Sequence, residues 1–317
     1  MPASLSTRRV LVPAIALASA GLMLVGCAQQ SSSTSSSSAA PASSASESAA
    51  PSESAAASES ASVEPTPDEC SPENLTLLTP GTLTIGTDTP AYPPYFVDDD
   101  PTNGQGFESA VAYAVADELG FAPTEVTWTV VPFNSSYAPG DKAFDFDINQ
   151  ISITPKRQKV VDFSDGYYTV NQAVVALNDS PIANATTVAE LQSAKLGAQI
   201  GTTSLEYIND VVQPAEQPYV YNDTNDAKSA LQNGQIDGIV VDLPTAYYIT
   251  AAEISDSKIV GQFPAVAGGE QFGLLFAKGN PLVTCVNKAL AALTESGELQ
   301  AIQDEWLAGE TAPYFTE

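Results

Sequence analysis

Thr82-Leu83-Thr84-Ile85-Gly86 alternates polar and apolar side chains with a period of two, and Phe107, Val111, Ala114, Val115 and Leu119 then recur at helical spacing until Gly120. A strand that leads into an amphipathic helix sets the unit from which this chain is built. Downstream the alternation repeats. Strand-like runs lie at 126–131, 173–177, 195–199, 238–241 and 272–277, and helical patterns lie at 188–193, 204–212, 226–233 and 244–252. Two helices close the chain, one carrying Val286, Leu290 and Leu293 and the other Leu299, Ile302 and Trp306. Such alternation implies open α/β sheets, whose ligands sit at loops beyond the strand ends.

Upstream of residue 75 the texture changes. Arg8 and Arg9 precede an apolar run of 16 residues, Val10 to Val25. That run falls short of the about 20 residues a bilayer span needs, so residues 1–26 read as a signal peptide. Leu24-Val25-Gly26-Cys27 resembles a bacterial lipobox: the small Gly26 admits a peptidase, and Cys27 offers a thiol for diacylglycerol. The expected location is the extracytoplasmic face of a bacterial cell membrane, with contact through the N-terminal lipid. Residues 31–62 contain 16 serines and 10 alanines. They bury too little apolar surface to offset chain entropy, so 27–72 is expected to be a disordered tether, reaching ~35 Å on average.

Of the 11 lysines and arginines, the leader removes two, leaving nine against 38 acids and a formal charge of −29. Such a surface repels phosphate backbones, which excludes nucleic acid as a partner. The chain has no histidine. That removes Ser-His-Asp and Cys-His nucleophilic sites and most zinc sites. No EF-hand spacing is present, Asp98-Asp99-Asp100 reads as a solvated turn, and no metal or cofactor is expected. In an oxidising exterior Cys70 and Cys285 suggest a disulfide tying the start of the folded region to a late helix, with two free buried thiols as the alternative.

Beyond the leader one arginine remains, Arg157, in the run Ser152-Ile153-Thr154-Pro155-Lys156-Arg157. Its planar fork of donors matches a carboxylate in bidentate fashion, as lysine cannot. On composition alone a surface ion pair is an equal reading. The order of pieces around it decides. Thr84-Ile85-Gly86-Thr87-Asp88, Tyr92-Pro93-Pro94-Tyr95, Gly106-Phe107-Glu108 and Ile153-Thr154-Pro155-Lys156-Arg157 through Val161-Asp162-Phe163-Ser164-Asp165-Gly166-Tyr167-Tyr168 come first. Gly201-Thr202-Thr203, Ile236-Asp237-Gly238-Ile239-Val240-Val241-Asp242 and Phe272-Gly273-Leu274-Leu275-Phe276-Ala277-Lys278-Gly279 follow. In that order, over about residues 80–310, the chain resembles the polar amino acid-binding proteins of ABC importers.

The resemblance implies a two-lobed periplasmic-binding fold of type II, each lobe an open α/β sheet, joined by two hinge strands near Val174 and Phe272. Lobe one would be 75–173 plus 271–317, and lobe two 177–268. Arg157 matches the family's carboxylate-binding arginine and Ser152 its hydroxyl partner. Thr202 and Thr203 stand at a helix start whose free N–H groups favour the same carboxylate, though helix capping alone would also explain them. Asp242 matches the acid that takes the ligand ammonium; its residue-level alternative is a cap for the helix at Pro244. Tyr92 matches the aromatic residue that packs on the ligand side chain. Asn149-Gln150 replaces small residues of many relatives and adds an amide, Gln150, to the site. Phe133 to Gly140 reads as an irregular loop at the side-chain end of the pocket. Asp162 and Asp165 are expected to be structural partners, and Lys156 and Lys159 solvated charges. The implied protein is a monomeric binding lipoprotein for a polar neutral or cationic amino acid, working with an ABC permease. A dehydratase or lyase on the same scaffold, using Glu108, Asp88 or Asp242, and a ligand sensor for a membrane partner are the alternatives.

Overall fold

Leu83 and Ile85 are fully buried at the centre of the first sheet, where period-two alternation faces them inward. The structure, a computed structural model, describes residues 69–265, 269–307, 309 and 311–316. The leader, Cys27 and the Ser/Ala-rich tether to residue 68 lie outside the described residues, so what is expected of them rests on sequence.

Lobe one is built on strands β1 (Leu83–Thr87), β2 (Val126–Val130), β3 (Phe146–Asp147), β4 (Val161–Val170) and, from late in the chain, a returning strand at Glu270–Ala277. β1 pairs in parallel with β2 and β3, whereas the returning strand runs antiparallel to β3 and β4. Helix α1 (Phe107–Glu118) buries Phe107, Val111, Ala112 and Val115 against the sheet. It enters through Gly106 at φ 96, where an added Cβ would collide with the Tyr95 carbonyl.

Lobe two holds β5 (Gln172–Leu177), β6 (Leu196–Gln199), β7 (Tyr219–Tyr221), β8 (Gly238–Asp242) and β9 (Ser257–Gln262), in the order β7-β6-β8-β5-β9. The returning strand of lobe one is then β10. β5 is buried on both faces: Val174 and Ala176 join one core cluster, Ala173 and Val175 the other. That is why its sequence reads as a continuous apolar run.

The chain crosses between lobes at Asn171, between β4 and β5, and returns between Phe263 and Glu270. The expected hinge positions are thus shifted, since Val174 lies inside the lobe-two sheet and Phe272 inside that of lobe one. The assignment of 271–317 to lobe one needs a larger correction. Helices α6 (Leu282–Ser296) and α7 (Glu298–Trp306) follow lobe one, with Val286, Leu290 and Leu293 in its core. The tail then crosses to lobe two: Phe315, 2 % exposed, enters the core beside Phe263, its ring 5.2 Å away. Gln262 Nε2 donates to the Ala312 carbonyl at 2.7 Å, and the Val188 amide to the Thr316 carbonyl at 3.0 Å. A large aromatic ring removed from water outweighs the neighbourhood suggested by the preceding helix.

Other departures are local. Residues 188–193 form a single tight turn, Ala189–Leu191. The helices expected at 204–212 and 244–252 begin as α3 (Thr203–Tyr207) and α5 (Leu243–Tyr248) and widen at Ile208–Val212 and Ile249–Glu253. Between them lies α4 (Thr224–Gln232). Phe133 to Gly140 is not wholly irregular, because one helical turn, α2 (Phe133–Ser136), opens it.

Cys70 and Cys285 are bonded, with Cα atoms 5.4 Å apart across a sequence separation of 215. The bridge fastens the start of the described region to α6. In the chain-entropy view a loop of that length contributes at most ~5 kcal/mol. Asp162 receives Lys278 Nζ at 2.6 Å and the Gly279 amide at 2.6 Å, a structural role that also depresses its carboxyl pKa. Lys156 meets Glu206 at 3.5 Å with its side chain 85 % exposed, a contact of little energetic weight.

Candidate functional site

The loops at the ends of β1, β6 and β8 meet across the lobe boundary and enclose a cavity. Lobe one contributes Asp88, Tyr92, Asn149 and Gln150, and lobe two Thr202, Thr203, Asp242 and Thr245. Of the residues singled out in the sequence, Tyr92, Gln150, Thr202, Thr203 and Asp242 therefore share one wall system. None of the lining residues is a lysine or arginine.

Thr202 is the N-cap of α3: its hydroxyl accepts from the Leu205 amide at 3.2 Å. Capping leaves the amides of Thr203 and Ser204, the first of the helix, without an acceptor inside it. Asp242 ends β8 directly opposite Gln172 of β5. Gln172 Nε2 donates to Asp242 Oδ1 at 2.6 Å, and Gln172 Oε1 accepts from Ser204 Oγ at 2.7 Å. The fully buried Gln172 thus orients both the acid and the helix start. Burial, and then the charge of Glu270, push the Asp242 carboxyl well above the usual range, while the Gln172 hydrogen bond and Arg157 oppose the shift. No cap bond links the Asp242 side chain to α5.

Arg157 and Ser152 lie beside this cavity rather than on its wall. Arg157 is 6 % exposed, and its guanidinium packs over the rings of Tyr137 at 4.8 Å and Phe133 at 5.5 Å. Nη1 donates to the Ser152 carbonyl at 2.7 Å and Nη2 reaches across the boundary to the Gly201 carbonyl at 3.0 Å. Two of its five donors are so engaged. Gly201 stands at φ 78, a conformation that favours glycine, and a Cβ there would displace the side-chain ends of Asn134 and Tyr137. Ser152 Oγ donates to Glu270 Oε1 at 2.6 Å and lies 3.4 Å from Thr203 Oγ1.

Tyr92 lies under Lys228 of α4, whose Nζ is 5.6 Å from the ring centroid and is itself held by Glu253 at 2.6 Å and 2.7 Å. Tyr95, fully buried, meets Thr245 across the lobes at 3.3 Å. Asp88 accepts from the amides of Thr89 at 2.7 Å and Phe133 at 3.0 Å, which fixes its carboxylate at the lobe-one side of the cavity. Glu108 is fully buried behind Gln150 and is bonded to it and to Tyr167.

Sequence reasoning missed Gln172 and Glu270, and it named Asp88 only as an acid of the enzyme alternative, not as part of the cavity wall. A polar residue at the head of the apolar run 173–177 was the available signal for Gln172. Glu270 opens β10 and carries no such mark.

Two α/β lobes, crossed by the chain near Asn171 and closed on a polar cavity, make up the type II periplasmic-binding fold, that of hinged receptors for small solutes. Comparison with known proteins agrees, and the chain belongs to the bacterial extracellular solute-binding proteins, family 3, whose model matches residues 83–309. It is similar to the L-cystine-binding protein TcyJ of Escherichia coli K12, 28% identical over 232 residues covering 73% of this chain and 84% of the relative. ABC transporter arginine-binding protein 1 of the same strain is 28% identical over 212 residues, 63% of this chain and 81% of the relative. Among solved structures, an ancestral arginine-binding protein bound to arginine superposes with a TM-score of 0.61 at 30% identity, covering 72% of this chain and 99% of the other.

Proposed function

We propose that this protein is an extracytoplasmic receptor that captures a free amino acid between its lobes and presents it to the permease of an ABC importer. The observation that supports this most directly is a cavity whose acidic groups, Asp88 and Asp242, come from opposite lobes and which no cationic side chain lines. A ligand carrying an ammonium group complements both. In this reading Asp242 takes the α-ammonium, and the Thr203 and Ser204 amides, with the Thr203 hydroxyl, take the carboxylate. Arg157 backs that end through Gly201, with donors left over for the carboxylate, and Ser152 steadies Thr203. Tyr92 packs on the side chain, whose far end meets Gln150 and Asp88. Polar neutral or cationic amino acids fit; an acidic side chain would face Asp88.

Each lobe supplies part of this set, so ligand binding favours closure. A differential of ~5.5 kcal/mol between open and closed forms moves the population from 1:99 to 99:1. The function is binding rather than catalysis, since Glu108 is buried behind Gln150 and Asp88 is held by two backbone amides. We further propose anchoring through an acylated Cys27 and a monomeric working form. Mass spectrometry of the mature protein should find the lipid on an N-terminal Cys27; an unmodified internal Cys27 would end that part. A thermal-shift screen of the common amino acids, cystine and small polyamines should single out a stabilising ligand that is recovered chemically unchanged. A bound ligand that is turned over would favour the enzyme alternative.

A further inference from the structure

Glu108 lies in the first turn of α1 and is fully buried, yet both its oxygens hold a residue that does line the cavity. Oε1 accepts the backbone N–H of Gln150 at 2.7 Å and also the Tyr167 hydroxyl, while Oε2 accepts the Gln150 side-chain amide. Gln150 stands at φ 48, the left-handed region that residues with a side chain seldom occupy. Its place on the cavity wall thus depends on one carboxylate. We propose that Glu108 is a positioning residue that sets how the Gln150 amide addresses the ligand, and that protonation of Glu108 releases this setting. The inference rests on the reading of the cavity as an amino acid site.

The chemistry is that of donors and acceptors. An ionised carboxylate only accepts, so Gln150 must turn its NH₂ toward Glu108, leaving the amide carbonyl available to donors on the ligand. A protonated Oε2 becomes a donor. The amide then turns over to accept from it and offers NH₂ to the cavity instead, which suits an ammonium or guanidinium group poorly. Burial raises the Glu108 carboxyl to about 7, and the bonds from Tyr167 and Gln150 oppose that rise. The charged and titratable groups facing it are Tyr167 of β4, Asp147 of β3, Tyr95 and Asp242, each with its own pKa raised by burial. The switch therefore falls in the neutral range.

The test uses the full-length protein and two readouts. The first is the Gln150 side-chain amide resonance of the ligand-free, ¹⁵N-labelled protein, assigned by its loss in Gln150→Ala and followed from about pH 5.5 to about pH 8.5. It should titrate with a midpoint near 7, lose that midpoint in Glu108→Gln, and move to higher pH in Tyr167→Phe, which lacks the strongest opposing bond. The second is calorimetry with L-arginine, whose affinity should fall by up to about tenfold per pH unit below the midpoint in wild type. In Glu108→Gln that fall should be largely lost, and any residue of it belongs to Asp242. A Gln150 resonance that is flat in wild type, or that titrates alike in Glu108→Gln, overturns the inference. An amide that titrates as described in a protein to which no amino acid binds upholds the coupling and refutes the amino acid reading of the cavity.

Discussion

Replacing Arg157 with alanine separates two effects that the structure assigns to different atoms. Nη1 bonds the Ser152 carbonyl, and the guanidinium lies over Tyr137 and Phe133; all of these belong to lobe one. Nη2 bonds the Gly201 carbonyl of lobe two. Losing the first set should lower folding stability whether the lobes are open or closed. A charged hydrogen bond contributes about 1.5–3 kcal/mol and a cation–π contact about 0.5–2 kcal/mol, from which the cost of burying the guanidinium is subtracted, so a net loss of ~2–4 kcal/mol is expected. The Gly201 bond exists only when the lobes meet. Its loss weakens the closed form by about 1.5–3 kcal/mol, which lowers ligand affinity roughly 10- to 150-fold. A direct bond from Arg157 to the ligand carboxylate would bring the affinity loss to ~4 kcal/mol. Calorimetry with the amino acid found by screening, alongside thermal unfolding of the ligand-free protein, reads both numbers. Arg157→Lys should recover little, because a single ammonium cannot bond two carbonyls and stack on the rings. A folded Arg157→Ala protein that binds its ligand with unchanged affinity would refute the reasoning.

Asp242→Asn should harm ligands with a free α-amino group by about 2–3 kcal/mol; an N-acetylated analogue that binds as well as its parent would contradict this. Phe315→Ala removes a buried ring from the lobe-two core and should cost ~3–5 kcal/mol, which lowers the melting temperature by about 6–20 °C; a change under about 2 °C would show that the tail does not belong to that core. Alkylation of the unreduced, denatured protein should label neither Cys70 nor Cys285, and two labelled thiols there would exclude the bridge. Glu108, raised from 4.5 to about 7 in the folded state, holds a proton that the unfolded chain has already released in that window, so stability should fall as pH rises through it. Because Asp242 and Asp147 are raised in the same direction, the ligand-free protein should melt higher at about pH 5 than at about pH 8, and Glu108→Gln should flatten part of that slope.

What the sequence determined by itself is whatever depends on neighbours along the chain. Period-two and helical spacing located β1, α1, β5, β8 and the closing helices, since burial of one face is written into successive residues. The threonine pair at the start of α3 and the acid at the end of β8 were legible for the same reason, as each marks a junction between elements. β4 was harder to see, because Asp162, Ser164 and Asp165 interrupt its apolar residues while bonding Lys278, the Leu274 amide and Asn287 from distant segments. Only the tertiary structure decided which junctions face one another. It set Arg157 against the Gly201 carbonyl, Gln172 under Asp242, Glu108 behind Gln150 and Phe315 in the core of the lobe opposite its own helix. The three hydrogen-bonded pairings join residues 42 to 70 positions apart, and they follow from how two sheets close on each other rather than from any local pattern.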